Sequence, residues 1–190
     1  MKIGIIGKMC SGKSTLAKNI QKKYNNYVIT SFAEKIKILA KELFNMDIKD
    51  RKLLQMIGTK MRDINPDVWV NFTIDKFKNN ENVIIDDVRY QNEIDKLKKE
   101  NYLLIYLYIS NDVQINRLKN TYKNNYQQHI DNLNHESEKL LLDNDDIDIR
   151  IDCNNLNEND IFNIVDVRFM KYDNLNIGKK EKSRNCCINF

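Results

Sequence analysis

The sequence predicts an α/β fold, a doubly wound and mostly parallel sheet of five strands flanked by helices, with a helical substrate-binding subregion and a lid. Three observations lead there. An apolar run, Ile3-Gly4-Ile5-Ile6, passes directly into Gly7-Lys8-Met9-Cys10-Ser11-Gly12-Lys13-Ser14 and then into the helical pattern Thr15-Leu16-Ala17-Lys18-Asn19-Ile20. Further apolar runs alternate with stretches of helical period, as parallel strands joined by helical crossovers require. The chain has 190 residues, 42% hydrophobic and 31% charged, with a single proline, which suits one helix-rich folded domain.

The first strand and helix flank the spacing G-x-x-x-x-G-K-[ST], that of a phosphate-binding P-loop. Backbone N–H groups between Gly7 and Thr15 would wrap a phosphate at a helix N-terminus, and Lys13 would reach the β and γ oxygens. The Ser14 hydroxyl would bind Mg²⁺, while Cys10 reads as a filler within the loop. The expected ligand is a nucleoside triphosphate with Mg²⁺.

Tyr27-Val28-Ile29-Thr30 reads as the second strand, followed by a helix whose buried face carries Ile36, Leu39, Ala40, Leu43 and Phe44. Ser31 has two readings that the residues leave open. With Glu34 three residues on it forms a capping box, and it also lies beyond the carboxyl end of a strand, where doubly wound sheets present ligands. From Asp50 to Phe77 the pattern is helical, interrupted at Gly58-Thr59 and restarted at Asn65-Pro66-Asp67. Residues 31–77 form the expected substrate subregion, in which Arg51, Gln55, Lys60, Arg62 and Trp69 can pair with a phosphate and stack on a base.

Val83-Ile84-Ile85-Asp86-Asp87 is a buried-strand pattern ending in two carboxylates. A carboxylate at the tip of a strand beside the P-loop is the usual support for Mg²⁺, and Arg89 just beyond can neutralise phosphate charge. Strand side chains alternate, so only one of Asp86 and Asp87 faces the metal. Leu103–Ile109 is the clearest buried strand, Asp112–Tyr122 a helix, and Lys123–Asn134 too polar to be core. The lid is therefore placed at about 112–142, with Arg117 as its catalytic cation and Lys119 and Lys123 as weaker candidates. Asn134 can cap a short helix from His135-Glu136-Ser137-Glu138; Ile147–Asp152 alternates as a last strand, and a helix from Glu158 to Phe169 closes a single domain over 1–170.

A polar basic tail, 171–190, ends in Cys186-Cys187-Ile188-Asn189-Phe190. Cys187 formally begins a C-a-a-X box, but Asn189 is polar where an aliphatic residue is usual, so membrane anchoring is not favoured. The net charge of +4 suits an anionic nucleotide and does not call for nucleic acid as a partner. No apolar run is long enough for a membrane span, and the strand pattern beginning at Met1-Lys2 leaves no room for a secretory leader. Four cysteines without framework spacing point to a reducing, cytoplasmic setting, and a homodimer is compatible with the pattern.

Ser31-Phe32-Ala33-Glu34-Lys35-Ile36-Lys37, Leu54–Arg62 with Pro66-Asp67-Val68-Trp69-Val70, Asp87-Val88-Arg89-Tyr90-Gln91-Asn92-Glu93 and His135–Glu138 together resemble the signature blocks of the deoxynucleoside monophosphate kinases of bacteriophages and large DNA viruses. The resemblance covers residues 1 to about 140. It implies transfer of the ATP γ-phosphoryl group to a deoxynucleoside 5′-monophosphate, in the host cytoplasm if the source is viral. It also implies a P-loop kinase fold. Lys13, Asp87, Arg89 and Arg117 would be catalytic, and Ser14 with Asp87 would hold Mg²⁺. Arg62 and Arg89 would hold the acceptor phosphate, Trp69 and Phe32 would wall the base or sugar, and Ser31, Lys35, Gln55, Asp87 and Glu93 complete the acceptor candidates. Ser14 stands where the family often has Asp, and the lid is poorer in arginine than in many nucleotide kinases.

Other readings share the P-loop. A kinase for phosphomevalonate or dephospho-coenzyme A is the nearest, because the loop does not encode the acceptor. A GTP-binding switch lacks its D-x-x-G and N-K-x-D here, and a regulator without turnover would not need Lys13, Ser14 and Asp87 together.

Overall fold

Parallel pairing throughout joins five strands in the order β2-β3-β1-β4-β5, where β1 is Lys2–Gly7, β2 Val28–Thr30, β3 Val83–Val88, β4 Leu103–Tyr108 and β5 Ile149–Asp152. The computed structural model describes residues 1–123, 126–131, 133 and 147–169. The helices are α1 (Lys13–Lys23), α2 (Ala33–Phe44), α3 (Arg51–Ile64), α4 (Val68–Lys76), α5 (Gln91–Lys99), α6 (Asn111–Tyr122), α7 (Tyr126–Asp131) and α8 (158–169). Successive strands are placed first to one side of β1 and then to the other. The crevice of such a sheet opens where that order reverses, at the carboxyl end of β1. The predicted α/β class and five-stranded doubly wound sheet are what the chain forms.

Both faces of the sheet are buried, with alternate residues of each strand serving opposite faces. Ile3 and Ile5 pack with Leu16 and Ile20 of α1 and Val165 of α8. Ile6 packs with Ile36 of α2, Trp69 of α4 and Ile94 of α5. Burial on both sides explains why β1, β3 and β4 read as continuous apolar runs rather than alternating ones.

Three expectations change. Helix α3 runs unbroken through Gly58-Thr59. Gly58 is a point of close approach: a Cβ there would lie 3.3 Å from both Ile36 Cδ1 and Arg62 Nη1, and its carbonyl accepts the Trp69 indole N–H at 3.1 Å. Ser31 does not cap α2. Instead both Asp87 oxygens accept the N–H groups of Phe32 (2.7 Å) and Ala33 (3.0 Å), while Glu34 is drawn off to Thr30 Oγ1 (2.6 Å) and Lys76 Nζ (3.1 Å). A long-range carboxylate has displaced the local cap. The expected lid begins with a fixed element: its first part from 112 is helix α6, which is capped by Ser110 and buries Gln114 and Leu118. The His135–Glu138 motif, the lid region beyond 133 and Cys186-Cys187 lie outside the described residues. Among those described, no helix is long and apolar enough to cross a membrane.

Gly7 ends β1 at φ 153°, and a Cβ there would lie 2.7 Å from the Leu107 carbonyl oxygen and 2.6 Å from Ser11 Oγ. Neither backbone can yield inside a parallel sheet. Gly7→Ala should cost about 2 kcal/mol or more, read as a lowered midpoint in urea unfolding.

Candidate active site

The carboxyl end of the sheet carries a cavity of about 930 Å³ whose floor is the phosphate loop. Cys10 (φ 63°) and Gly12 (φ 102°) take left-handed backbone conformations, which close the loop tightly before α1 begins at Lys13. Its N-cap is Gly12, so no capping side chain covers the first N–H groups of α1, and the positive end of the helix faces the cavity floor. Helix α6 holds the opposite side of the loop. Gln114 Nε2 donates to the Met9 carbonyl (3.2 Å), and Arg117 donates to the carbonyls of Cys10 (3.2 Å) and Cys153 (2.6 Å). With its carbonyls engaged outside, the loop turns its amides inward. Arg117 thus braces the loop and lines the cavity from α6; the structure gives it anchored backbone partners where the sequence suggested a lid cation.

Lys13 is 7% exposed, and its ammonium donates to the carbonyls of Gly7 and Lys8, both at 2.7 Å. It is folded into the loop it serves. Met9, Cys10, Gly12, Lys13, Ser14 and Thr15 line the cavity; Gly7, Lys8 and Ser11 lie outside its wall. Lys8 reaches Asn111 Oδ1 at 2.6 Å, and the Ser11 hydroxyl is buried beneath the loop.

The two aspartates of β3 divide as alternation requires, but in the reverse of the expected sense. Ser14 Oγ donates to Asp86 Oδ2 at 2.6 Å, whereas Asp87 is turned to the α2 N-terminus. Burial pushes the Asp87 carboxyl up, and the N–H groups of Ala33 and Phe32 pull it back toward ionisation. The carboxylate beside Ser14 is therefore Asp86. These two hard oxygens next to Lys13 suit Mg²⁺, which takes one or two protein oxygens and completes its shell with substrate phosphates and water.

Opposite the loop, α2, α3 and the β3–α5 turn form the second wall. Lys37, Lys49 and Arg89 line the cavity there, and Arg51 lines it too but reaches across to the loop, donating to Met9 Sδ (3.4 Å) and to Tyr122 Oη of α6 (3.5 Å). Partial desolvation and then the charges of Arg51, Lys37 and Arg89 push the Lys49 ammonium below the ordinary lysine range. Arg51 also leans on Tyr122, its guanidinium 5.8 Å from the ring centroid, and Tyr122 stacks at 3.8 Å on His129 of α7. Farther along α3, Arg62 lies 4.3 Å over the Tyr90 ring and pairs with Glu93 at 3.4 Å. Glu93 is 3% exposed and also accepts the N–H groups of Arg89 (2.8 Å) and Tyr90 (3.1 Å).

Ser31, Phe32, Gln55, Arg62, Asp87, Arg89 and Glu93 are thus brought to one cavity. Three candidates of the substrate subregion are not: Lys60 pairs with Asp63 at 3.4 Å on an exposed face of α3, and the other two are Trp69 and Lys35. Trp69 is 3% exposed in the core, its indole N–H spent on Gly58, so it presents no face to a base. Lys35 points away, its ammonium 5.7 Å from the Phe72 ring. Lys37 closes the block Ser31–Lys37 without an assigned role and Lys49 lies in no motif; one lysine in a helix and one in a loop show no periodic signal. Donor-side residues Asn120, Asn157 and Glu158 were missed for the same reason.

The family model described as an AAA domain matches residues 3–149. The chain belongs to this AAA domain family. No curated protein matches it significantly. This AAA domain is similar in fold to shikimate kinase from Aquifex aeolicus vf5 (TM-score 0.51, 17% identity, covering 91% of this chain and 98% of that one). It is likewise similar to a gluconokinase from Sinorhizobium meliloti 1021 (0.53, 15%, 85% and 87%) and to shikimate kinase from Acinetobacter baumannii in complex with shikimate (0.55, 14%, 90% and 93%). At these identities the likeness establishes the fold of P-loop kinases for this AAA domain.

Burial, and then the neighbouring Asp87 charge, push the Glu93 carboxyl from 4.5 up to about 7. A raised carboxyl keeps its proton in the folded chain where the unfolded chain has lost it. Its contribution is present below pH 4.5 and is lost as pH rises through about 7. Asp87 shifts in the same direction. Thermal midpoints should accordingly fall between pH 5 and pH 7.5, and Glu93→Gln should flatten much of that slope.

Proposed function

We propose that the protein transfers the γ-phosphoryl group of ATP to a deoxynucleoside 5′-monophosphate. The observation that carries this reading is the charge on the second wall. Lys37, Lys49 and Arg89 converge on the cavity that the phosphate loop floors, with Arg51 reaching between them and Met9 of the loop, and partial desolvation together with the other three charges depresses Lys49. So much positive charge suits a phosphate dianion on the acceptor. Arg62 faces Glu93 at 3.4 Å, and in this reading the acceptor phosphate belongs with Arg89 and Lys49, and Arg62 with the rest of the acceptor. The motif blocks shared with deoxynucleoside monophosphate kinases support a nucleotide, and the length of α3 between Arg51 and Arg62, roughly 16 Å at 1.5 Å per residue, accommodates one.

In this reading the loop amides and Lys13 hold the triphosphate, Lys13 exchanging its two carbonyl partners for phosphate oxygens. Mg²⁺ would be held through Ser14 and Asp86 and would neutralise charge on the β and γ phosphates. An acceptor phosphate oxygen attacks the γ phosphorus as the bond to the bridging β oxygen breaks, giving a diphosphate and ADP. The acceptor oxygen is already anionic, so no general base is required, and positioning with charge neutralisation supplies the acceleration. Arg117 acts by fixing the loop, two of its N–H groups donating to the Cys10 and Cys153 carbonyls.

ADP release should be stimulated by one or more deoxynucleoside monophosphates in a panel that includes shikimate, gluconate, phosphomevalonate and dephospho-coenzyme A; stimulation only by one of the latter four would refute the acceptor class. Lys13→Ala should abolish transfer with an unchanged circular dichroism spectrum. Lys49→Ala should raise the acceptor KM about tenfold and leave the ATP KM within about twofold, as loss of one charge-assisted contact predicts. Asp86→Asn should weaken Mg²⁺ dependence without lowering the thermal midpoint, whereas Asp87→Asn should lower the midpoint by loosening the α2 N-terminus.

A further inference from the structure

Arg62 is a cation of the acceptor wall that is built into place. Its guanidinium has three neighbours, two from the turn that opens α5, the Tyr90 ring at 4.3 Å and Glu93 Oε1 at 3.4 Å, and one a turn back on its own helix, Gly58, where a Cβ would stand 3.3 Å from Arg62 Nη1. Glu93 cannot follow Arg62 if it moves, because its other oxygen accepts the Arg89 and Tyr90 N–H groups at 2.8 and 3.1 Å. It is a fixed anchor, 4% exposed at the side chain, and Arg62 stands between it and the cavity. A guanidinium carries five N–H donors and no acceptor. One long contact to Glu93 leaves several of them for the cavity, which Arg62 lines.

We propose that Glu93 and Gly58 are positioning residues for the acceptor: together with the Tyr90 ring they form a cradle that holds Arg62 flat against the wall, its remaining N–H donors aimed at hydrogen-bond acceptors on the part of the substrate beyond its phosphate. The proposal rests on the reading of the cavity as a nucleoside monophosphate site. The cradle answers a specific hazard. A loose arginine in this cavity would be drawn to the triphosphate on the opposite wall, where its charge would favour donor binding and leave the acceptor unguided. Glu93 retains it through the contact at 3.4 Å, an ion pair once the carboxyl has ionised above about pH 7. Gly58 supplies room, at a helix position where alanine would otherwise be preferred.

Glu93→Gln and Gly58→Ala disturb the cradle in different ways. The first keeps a carbonyl for the Arg89 and Tyr90 amides and removes the charge facing Arg62. The second leaves Glu93 intact and displaces Arg62 by a methyl group. Both should raise the acceptor KM about tenfold while kcat and the ATP KM stay within about twofold. Gly58→Ala should do so with a thermal midpoint equal to or above that of the wild type, which a merely structural role for the glycine would not produce. Combining Glu93→Gln with Arg62→Ala should cost no more than Arg62→Ala alone. An acceptor KM within about twofold of wild type in both single variants would overturn the cradle.

A second measurement needs no substrate. The Arg62 Nε–H resonance of the ligand-free protein should be distinct and slow to exchange, and should shift in both variants; an identical resonance in all three proteins would overturn the proposal. If the wild-type protein phosphorylates no nucleoside monophosphate, the function proposed above falls, and this resonance decides the cradle independently.

Discussion

The arrangement depends on the insertion of β1 between β3 and β4 in parallel register, Ile3 against Ile84 on one side and Leu103 on the other. A parallel sheet aligns the carboxyl ends of its strands, so every loop that leaves one of them emerges at the same edge. That alignment sets Asp86 of β3 beside Ser14 after β1, and sets α6 after β4 where Gln114 and Arg117 can take the loop carbonyls. Loss of register by one residue would set Asp87 where Asp86 stands and take the carboxylate from the Phe32 and Ala33 N–H groups. Gly7 has to be glycine for the same reason: the strand it ends is crowded on one side by the Leu107 carbonyl.

Carboxylates perform most of the construction at the cavity. Asp87 joins β3 to the first turn of α2, and Glu93 closes the turn before α5 while holding Arg62. Each satisfies backbone amides that would otherwise be buried without partners, which explains why two acids are tolerated beneath a site made for anions. Their ionisation is costly in that position, and the cost appears as raised carboxyl pKa values. The cations, by contrast, stand at the surface of the cavity, where Lys37, Lys49, Arg51 and Arg89 repel one another until an anion arrives. Positive charge held apart by the fold is preorganisation for phosphate, obtained before the substrate binds.

Much of this could be read from the residues in order. The strands fall within two residues of the apolar runs, because burial on both faces leaves only aliphatic side chains eligible, and the G-x-x-x-x-G-K-S spacing located the loop. Alternation required Asp86 and Asp87 to part company. It could not say which of them meets Ser14, since that depends on the twist and register of β3 against β1. Trp69 illustrates the opposite failure: an aromatic amid basic residues suggested a base platform, yet its indole N–H is spent on the Gly58 carbonyl and its ring completes the core between α4 and the sheet. Gly58 looked like a break in a helix and is a point of close approach. Lys35 lies on the same helix as Lys37, two residues and about 200° around the axis away, so only one of them can face the cavity.

The sequence by itself determined the class of fold, the edge of the sheet that carries the site and the donor half of that site, because each follows from local periodicity or from a contiguous motif. The acceptor half was decided only by tertiary structure. Lys37, Lys49, Arg51, Arg62, Arg89 and Glu93 come from separate elements, and no spacing rule links a loop lysine to a turn arginine. Long polar side chains reach as far as an entire helical turn, so their direction is set by whichever partner is nearest once the chain has closed. For Arg62 that partner is Glu93, and for Ser14 it is Asp86.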